Sequence, residues 1–89
     1  MDTWNATIVY LNKKDIGDVF TKMDIFTYFD NFDKNFHDTI TVYVNNLIRV
    51  GSLDRVGKNK FKLQKRLNKD ATWSKIRQTI QGKRVFELF

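Results

Sequence analysis

Between Thr39 and Leu63 the apolar residues change their spacing once, and that change constrains the fold more than any other feature of the chain. Ile40, Tyr43, Val44, Leu47 and Ile48 recur at i, i+3, i+4, i+7 and i+8, a full stripe of an amphipathic helix. Asp38 or Thr39 can cap this helix. Gly51 follows at the position where a left-handed backbone costs glycine little. Beyond it the period becomes two. Ser52–Val56 and Lys60–Gln64 read as strands joined through Gly57-Lys58-Asn59, with Phe61 and Leu63 on one face and Lys60, Lys62 and Gln64 on the other.

The segments before this unit are shorter. Trp4, Ile8 and Leu11 lie at i, i+4 and i+7, which favours a helix over Asp2–Asp15, although the β-branched run around Ile8 also suits a buried strand. Asp18-Val19-Phe20-Thr21 reads as a short extended piece. Thr21 then caps a second helix in a partial capping box, because Asp24 stands where a full box has Glu or Gln. That helix is expected to bury Ile25, Phe26, Phe29 and Phe32 and to end in a long acidic turn from Asp30 to Asp38.

The charge is divided along the chain. Residues 1–38 hold four lysines against seven aspartates, a net of −3, and residues 39–89 hold twelve Lys and Arg against three acids, a net of +9. A basic half in a small domain points to a polyanionic partner, nucleic acid before an acidic membrane. The absence of cysteine excludes a disulfide scaffold and argues against a zinc module, and one histidine, His37, makes no metal cluster. No apolar run reaches the ~20 residues of a membrane span and the N-terminus lacks a signal-peptide pattern, so a cytoplasmic or nuclear protein without membrane contact is expected. Neither a phosphate-binding glycine loop nor a nucleophile with its base is present. Asp30 with Asp33, and His37 with Asp38, read as solvated surface. No catalytic residue, metal or cofactor is expected, and the chain reads as a non-enzyme.

The order of helix, short strand, capped helix, amphipathic helix ending in glycine and basic hairpin resembles the winged helix-turn-helix family over about residues 4–66. Val19-Phe20-Thr21, the helix from Thr39 to Val50, and Gly51-Ser52-Leu53-Asp54-Arg55-Val56-Gly57 leading into Phe61-Lys62-Leu63 carry the likeness. It implies an α+β, mainly α fold: a three-helix core with a β-hairpin wing, and here a further C-terminal helix. It also implies that the third helix is a recognition helix and the hairpin a wing. Thr39, Thr41, Val42, Asn45, Asn46 and Arg49 are then the candidate base-reading residues, since Asn pairs with adenine, Arg with guanine, and Thr or Val meets a thymine methyl. Arg55, Lys58, Asn59, Lys60 and Lys62 are the candidate phosphate contacts at the tip and outer face of the hairpin.

Residues 67–89 form a separate unit in this reading. Trp73, Ile76, Arg77 and Ile80 share a helical face beginning near Asp70 or Thr72, and Val85, Phe86, Leu88 and Phe89 follow Gly82. So apolar a segment is expected to pack on residues 1–66 or on a second protomer, and Trp73, Ile76, Ile80, Phe86 and Phe89 are the candidate seam of a homodimer through residues 70–89. The function expected is sequence-specific binding of duplex DNA by a small transcriptional regulator. The richness in Lys, Asn, Ile and Phe suggests an AT-rich phage, plasmid or other mobile element. The alternative is an accessory replication or polymerase-partner module. It would bind single-stranded nucleic acid or a protein through Tyr10, Tyr28, Phe32 and Phe36.

Overall fold

The computed structural model describes residues 2–89, and among these described residues the chain forms four helices and three strands. They are α1 (Thr3–Asn12), β1 (Val19–Thr21), α2 (Lys22–Phe29), α3 (Lys34–Val50), β2 (Leu53–Gly57), β3 (Lys60–Leu63) and α4 (Trp73–Ile80). The strands make one antiparallel sheet in the order β1-β3-β2. The result is an α+β domain in which helices cover one face of a small sheet.

Local chemistry sets most of the boundaries. Asp2 caps α1 by accepting a hydrogen bond from the Asn5 amide, and α1 is a helix rather than a strand, burying Trp4, Thr7, Tyr10 and Leu11. At α2 the capping box is complete despite the shorter acid. Thr21 Oγ1 accepts from the Asp24 amide at 3.1 Å, and Asp24 Oδ2 accepts from the Thr21 amide at 2.8 Å. Thr21 is thus both the last residue of β1 and the cap of α2.

Two expectations for the α2–α3 connection need correction. The turn covers only Asp30–Asp33, with Asp30 left-handed at φ 49°, and α3 begins at Lys34, several residues before Asp38 and Thr39. Asp33 occupies the cap position without making a side-chain cap bond, so no local capping signal marks the start of the helix. Inside α3, the Thr39 hydroxyl instead donates back to the Asn35 carbonyl at 2.9 Å. Phe32 is not in the core: it lies in the short turn and is 60% exposed.

The end of α3 follows the sequence pattern. Gly51 is left-handed at φ 91° and its amide bonds the Ile48 carbonyl. The hairpin turns through Lys58 and Asn59, with Asn59 left-handed at φ 58° and an irregularity at Val56 between the Arg55 and Gly57 pairings. Phe20, Phe61, Leu53 and Leu63 project from the sheet onto Ile25, Ile40, Val44 and Leu47 of the helices, all of them buried.

Residues 67–89 fold back onto this core. Ile76 of α4 is fully buried, and Trp73 meets Tyr43 of α3 and Trp4 of α1 with ring centroids 4.8 and 5.2 Å apart. Thr72 caps α4 by accepting from the Lys75 amide. Past Gly82 the tail returns so that the Asn68 amide donates to the Leu88 carbonyl at 2.6 Å, and Leu88 is buried. The sequence put the tail's burial on Phe86 and Phe89. Leu88 takes that position instead; Phe86 is half-buried and Phe89 is exposed. No helix among the described residues is long and apolar enough to cross a membrane.

Candidate nucleic-acid interface

The surface of α3 left open by its neighbours is narrow. The sheet packs along one flank, and α4 along the flank that carries Tyr43. Between them Asp38, Val42, Asn45 and Arg49 are exposed and fall at i, i+4, i+7 and i+11, a single line along the helix. Thr41 lies beside this line, half-buried.

Asn46 does not belong to that line. It is buried, 7% exposed, and its Nδ2 donates to the Val42 carbonyl at 2.7 Å within the same helix. It lies three residues from Tyr43 and four from Val50 on the α4 side, so the docking of α4 removes it from the surface. Thr39, half-buried on the same side, is withdrawn with it. Of the six candidate base-reading residues, Val42, Asn45 and Arg49 are exposed and Thr41 is partly so.

The hairpin divides its cations between two faces. Arg55 pairs with Phe61 in the ladder and therefore shares the inward face, where its guanidinium lies 5.5 Å from the centre of the Phe61 ring. From there Arg55 Nη2 donates to Asn45 Oδ1 at 3.4 Å, a long bond that links hairpin to α3. Lys60 and Lys62 pair with Thr21 and Val19 and project from the opposite face. Arg55, Lys60 and Lys62 therefore do not form one outer patch: Arg55 faces α3, and only Lys58 and Asn59 occupy the tip, both exposed.

A residue that the sequence reading passed over joins this site. Lys22, in the first turn of α2, donates from Nζ to Thr41 Oγ1 at 3.3 Å, and the Thr41 hydroxyl donates to the His37 carbonyl. In the sequence Lys22 belongs to the acidic N-terminal half, and its place directly after the cap Thr21 is the one local signal for this role. Asn59 of the hairpin tip, Lys22 and Met23 of α2, and Phe26 and His37 line one hollow of about 320 Å³. The open line of α3 is thus flanked by Lys22, Arg55 and the hairpin tip. Among the described residues basic and acidic side chains meet within 4.0 Å at His37–Asp38 (3.8 Å) and Arg66–Asp15 (4.0 Å), so none of Lys22, Arg55 and Lys58 has an acidic partner at that distance.

The aromatic surface expected for stacking is not formed as a unit. Tyr10 is buried between Phe20, Tyr28 and Phe29, and Phe36 is half-buried against Phe26 and Phe29, leaving Tyr28 and Phe32 exposed. The Tyr10 hydroxyl has no hydrogen-bond partner among the described residues. Burial, with the nearby Asp24 and Tyr28, pushes its pKa up from 10.0 to about 12. Burial also raises that of Tyr43, with Asp2 adding to the effect.

A second concavity, about 450 Å³, lies at the far end of α3. Arg49 and Val50 form one wall, Thr79 and Ile80 of α4 another, and Phe86, Leu88 and Phe89 of the tail the third. Of the five residues expected at a dimer seam, Ile76 is buried within the chain and Trp73, Ile80 and Phe86 are half-buried, which leaves only Phe89 exposed. Comparison with protein-family models, with curated proteins and with solved structures finds no match to this chain.

Proposed function

We propose that the chain binds duplex DNA in the manner of a winged helix-turn-helix domain, with α3 in the major groove and the β2–β3 hairpin on the flanking backbone. The observation that carries this reading is the exposed line of α3, in which Val42, Asn45 and Arg49 follow Asp38, bounded by cations that have no acidic partner within 4.0 Å among the described residues. A helix fits the major groove; Asn45 can pair with adenine, Arg49 with guanine, and Val42 can meet a thymine methyl. Lys22 and Lys58 supply phosphate contacts from α2 and the hairpin tip. The 3.4 Å bond between Arg55 and Asn45 is weak enough for either side chain to exchange it for a base or phosphate. A small regulator of transcription is the role most in keeping with this size and charge.

The binding unit in this reading is one chain. Val85 and Phe89 are the tail's exposed apolar side chains, 96% and 42% accessible. Together they offer on the order of 200 Å² against the about 800 Å² per partner of a standard interface.

The test is binding of a selected duplex and of random duplex over a salt series. N45A is expected to weaken specific binding by about 1–3 kcal/mol and random binding less, whereas N46A leaves the ratio unchanged. K58A is expected to weaken both alike and to reduce the salt slope by about one unit. Equal losses from N45A on both duplexes, or an unaltered slope for K58A, would remove α3 or the hairpin tip from the interface.

A further inference from the structure

The concavity behind Arg49 differs from the rest of the surface in its chemistry. Its walls carry two partly exposed aromatic rings, Phe86 and Phe89, and one cation, Arg49, and no acidic side chain is among them; Glu87, between Phe86 and Leu88, is exposed outside them. Lys75 Nζ and the Arg84 guanidinium lie 5.6 and 5.0 Å from the centre of the Phe86 ring, so that this half-buried ring holds two cations at the rim. Lys65 Nζ lies 5.1 Å from the centre of the Phe89 ring, and Phe89 still exposes 42% of its surface. Arg49 enters from α3. None of Arg49, Lys65, Lys75 and Arg84 makes an ion pair among the described residues.

A partly exposed ring, one cation in the wall of a hollow of about 450 Å³ and three more against its two aromatic rings suit a ligand that is aromatic at one end and anionic at the other. From this arrangement we infer that the groove takes an unpaired nucleotide of a DNA single strand, its base stacked on Phe89 and its flanking phosphates on Arg49, Lys65 and Arg84. A strand suits the site better than a free nucleotide because three of the cations, Lys65 against Phe89 and Lys75 and Arg84 against Phe86, stand outside the walls of the hollow. Such grooves bind with little sequence preference, since every base has a face to stack. The site does not rest on the duplex reading. It does adjoin that surface, because Arg49 belongs both to the open line of α3 and to the groove wall, so one chain can hold paired and unpaired DNA side by side.

The test compares a labelled twelve-residue thymidine strand with an abasic strand of the same length and charge. The intact chain is expected to bind the thymidine strand at least about tenfold more tightly, with affinity falling as salt rises. F89L, which keeps an apolar side chain but removes the stacking face, should lose about five- to a hundredfold on the thymidine strand and little on the abasic one. F89W should retain wild-type affinity. Thermal melting of both variants checks that an exposed position has not disturbed the fold. K58A should weaken the thymidine and abasic strands alike and leave their ratio unchanged, so failure of the duplex reading and failure of this one give different patterns. Equal affinity for the two strands, or an F89L variant that binds thymidine as the wild type does, would overturn the inference.

Discussion

Tyr10→Phe should make this protein more stable, although it removes a polar atom from a buried tyrosine. The Tyr10 side chain lies among Phe20, Tyr28 and Phe29, 4% exposed, and its hydroxyl reaches no protein partner among the described residues. A buried hydroxyl without a hydrogen bond costs about 1–3 kcal/mol relative to its hydrated state. Removing one oxygen leaves a void on the order of 15 Å³, worth about 0.4 kcal/mol at about 24 cal/mol per Å³. The ring contacts survive in phenylalanine, as does the Lys14 ammonium 5.3 Å from the ring centre. The balance is a gain of about 0.6–2.6 kcal/mol, and in a domain of this size each 1 kcal/mol raises Tm by about 4–8 °C. Against a total stability of about 4–13 kcal/mol for a chain of this length, the change is easily measured by urea denaturation. Tyr43→Phe, at a half-buried position, is the control and should shift stability by less than about 0.5 kcal/mol. A loss of about 1 kcal/mol or more in Tyr10→Phe would refute the reasoning and show that the hydroxyl has a partner in solution.

The same group predicts the alkaline limit of stability. With the folded pKa pushed up to about 12 from 10.0, the unfolded chain releases the phenolic proton first; stability is whole below pH 10 and is lost as pH rises toward 12, which Tyr10→Phe should blunt in a pH series of denaturation curves. Ile76→Ala should cost about 2–5 kcal/mol, because Ile76 is fully enclosed by its own chain, and thermal unfolding should be independent of protein concentration. Sedimentation of the 89-residue chain at tens of micromolar should give a monomer; a dimer abolished by ending the chain at Gln81 would restore the seam through residues 70–89.

The parts of the fold legible in the sequence are those fixed by local chemistry. The stripe from Ile40 to Ile48, the glycine that ends it, and the alternation of Phe61 and Leu63 each depend on a few neighbouring residues, and each appears in the structure. The start of α3 was not legible, because Asp33 makes no cap bond while Asp38 and Thr39 carry the right chemistry in the wrong place. Asn46 is a different case. Its position on α3 says nothing of burial until α4 docks against that flank, a contact more than twenty residues away in sequence. Arg55 could have been assigned correctly. Counting by twos from the buried Leu53 already places it on the inward face with Phe61, whereas attention to charge grouped it with Lys60 and Lys62. The groove behind Arg49 joins residues from α3, α4 and the tail, and no local pattern encodes such a meeting.

The strand order β1-β3-β2 also sets a sequence of events in time. The β2–β3 hairpin closes over two residues and can form within about 1–10 μs on its own. β1 cannot join it so directly, because Thr21 pairs with Lys60 across thirty-eight intervening residues that include all of α2 and α3. That loop shortens only when the two helices have folded and turned back, so closing the sheet and assembling the helical layer become one slow step rather than two. The amide of Phe61, opposite Phe20 at the centre of the sheet, should therefore exchange with solvent only as fast as the whole molecule unfolds.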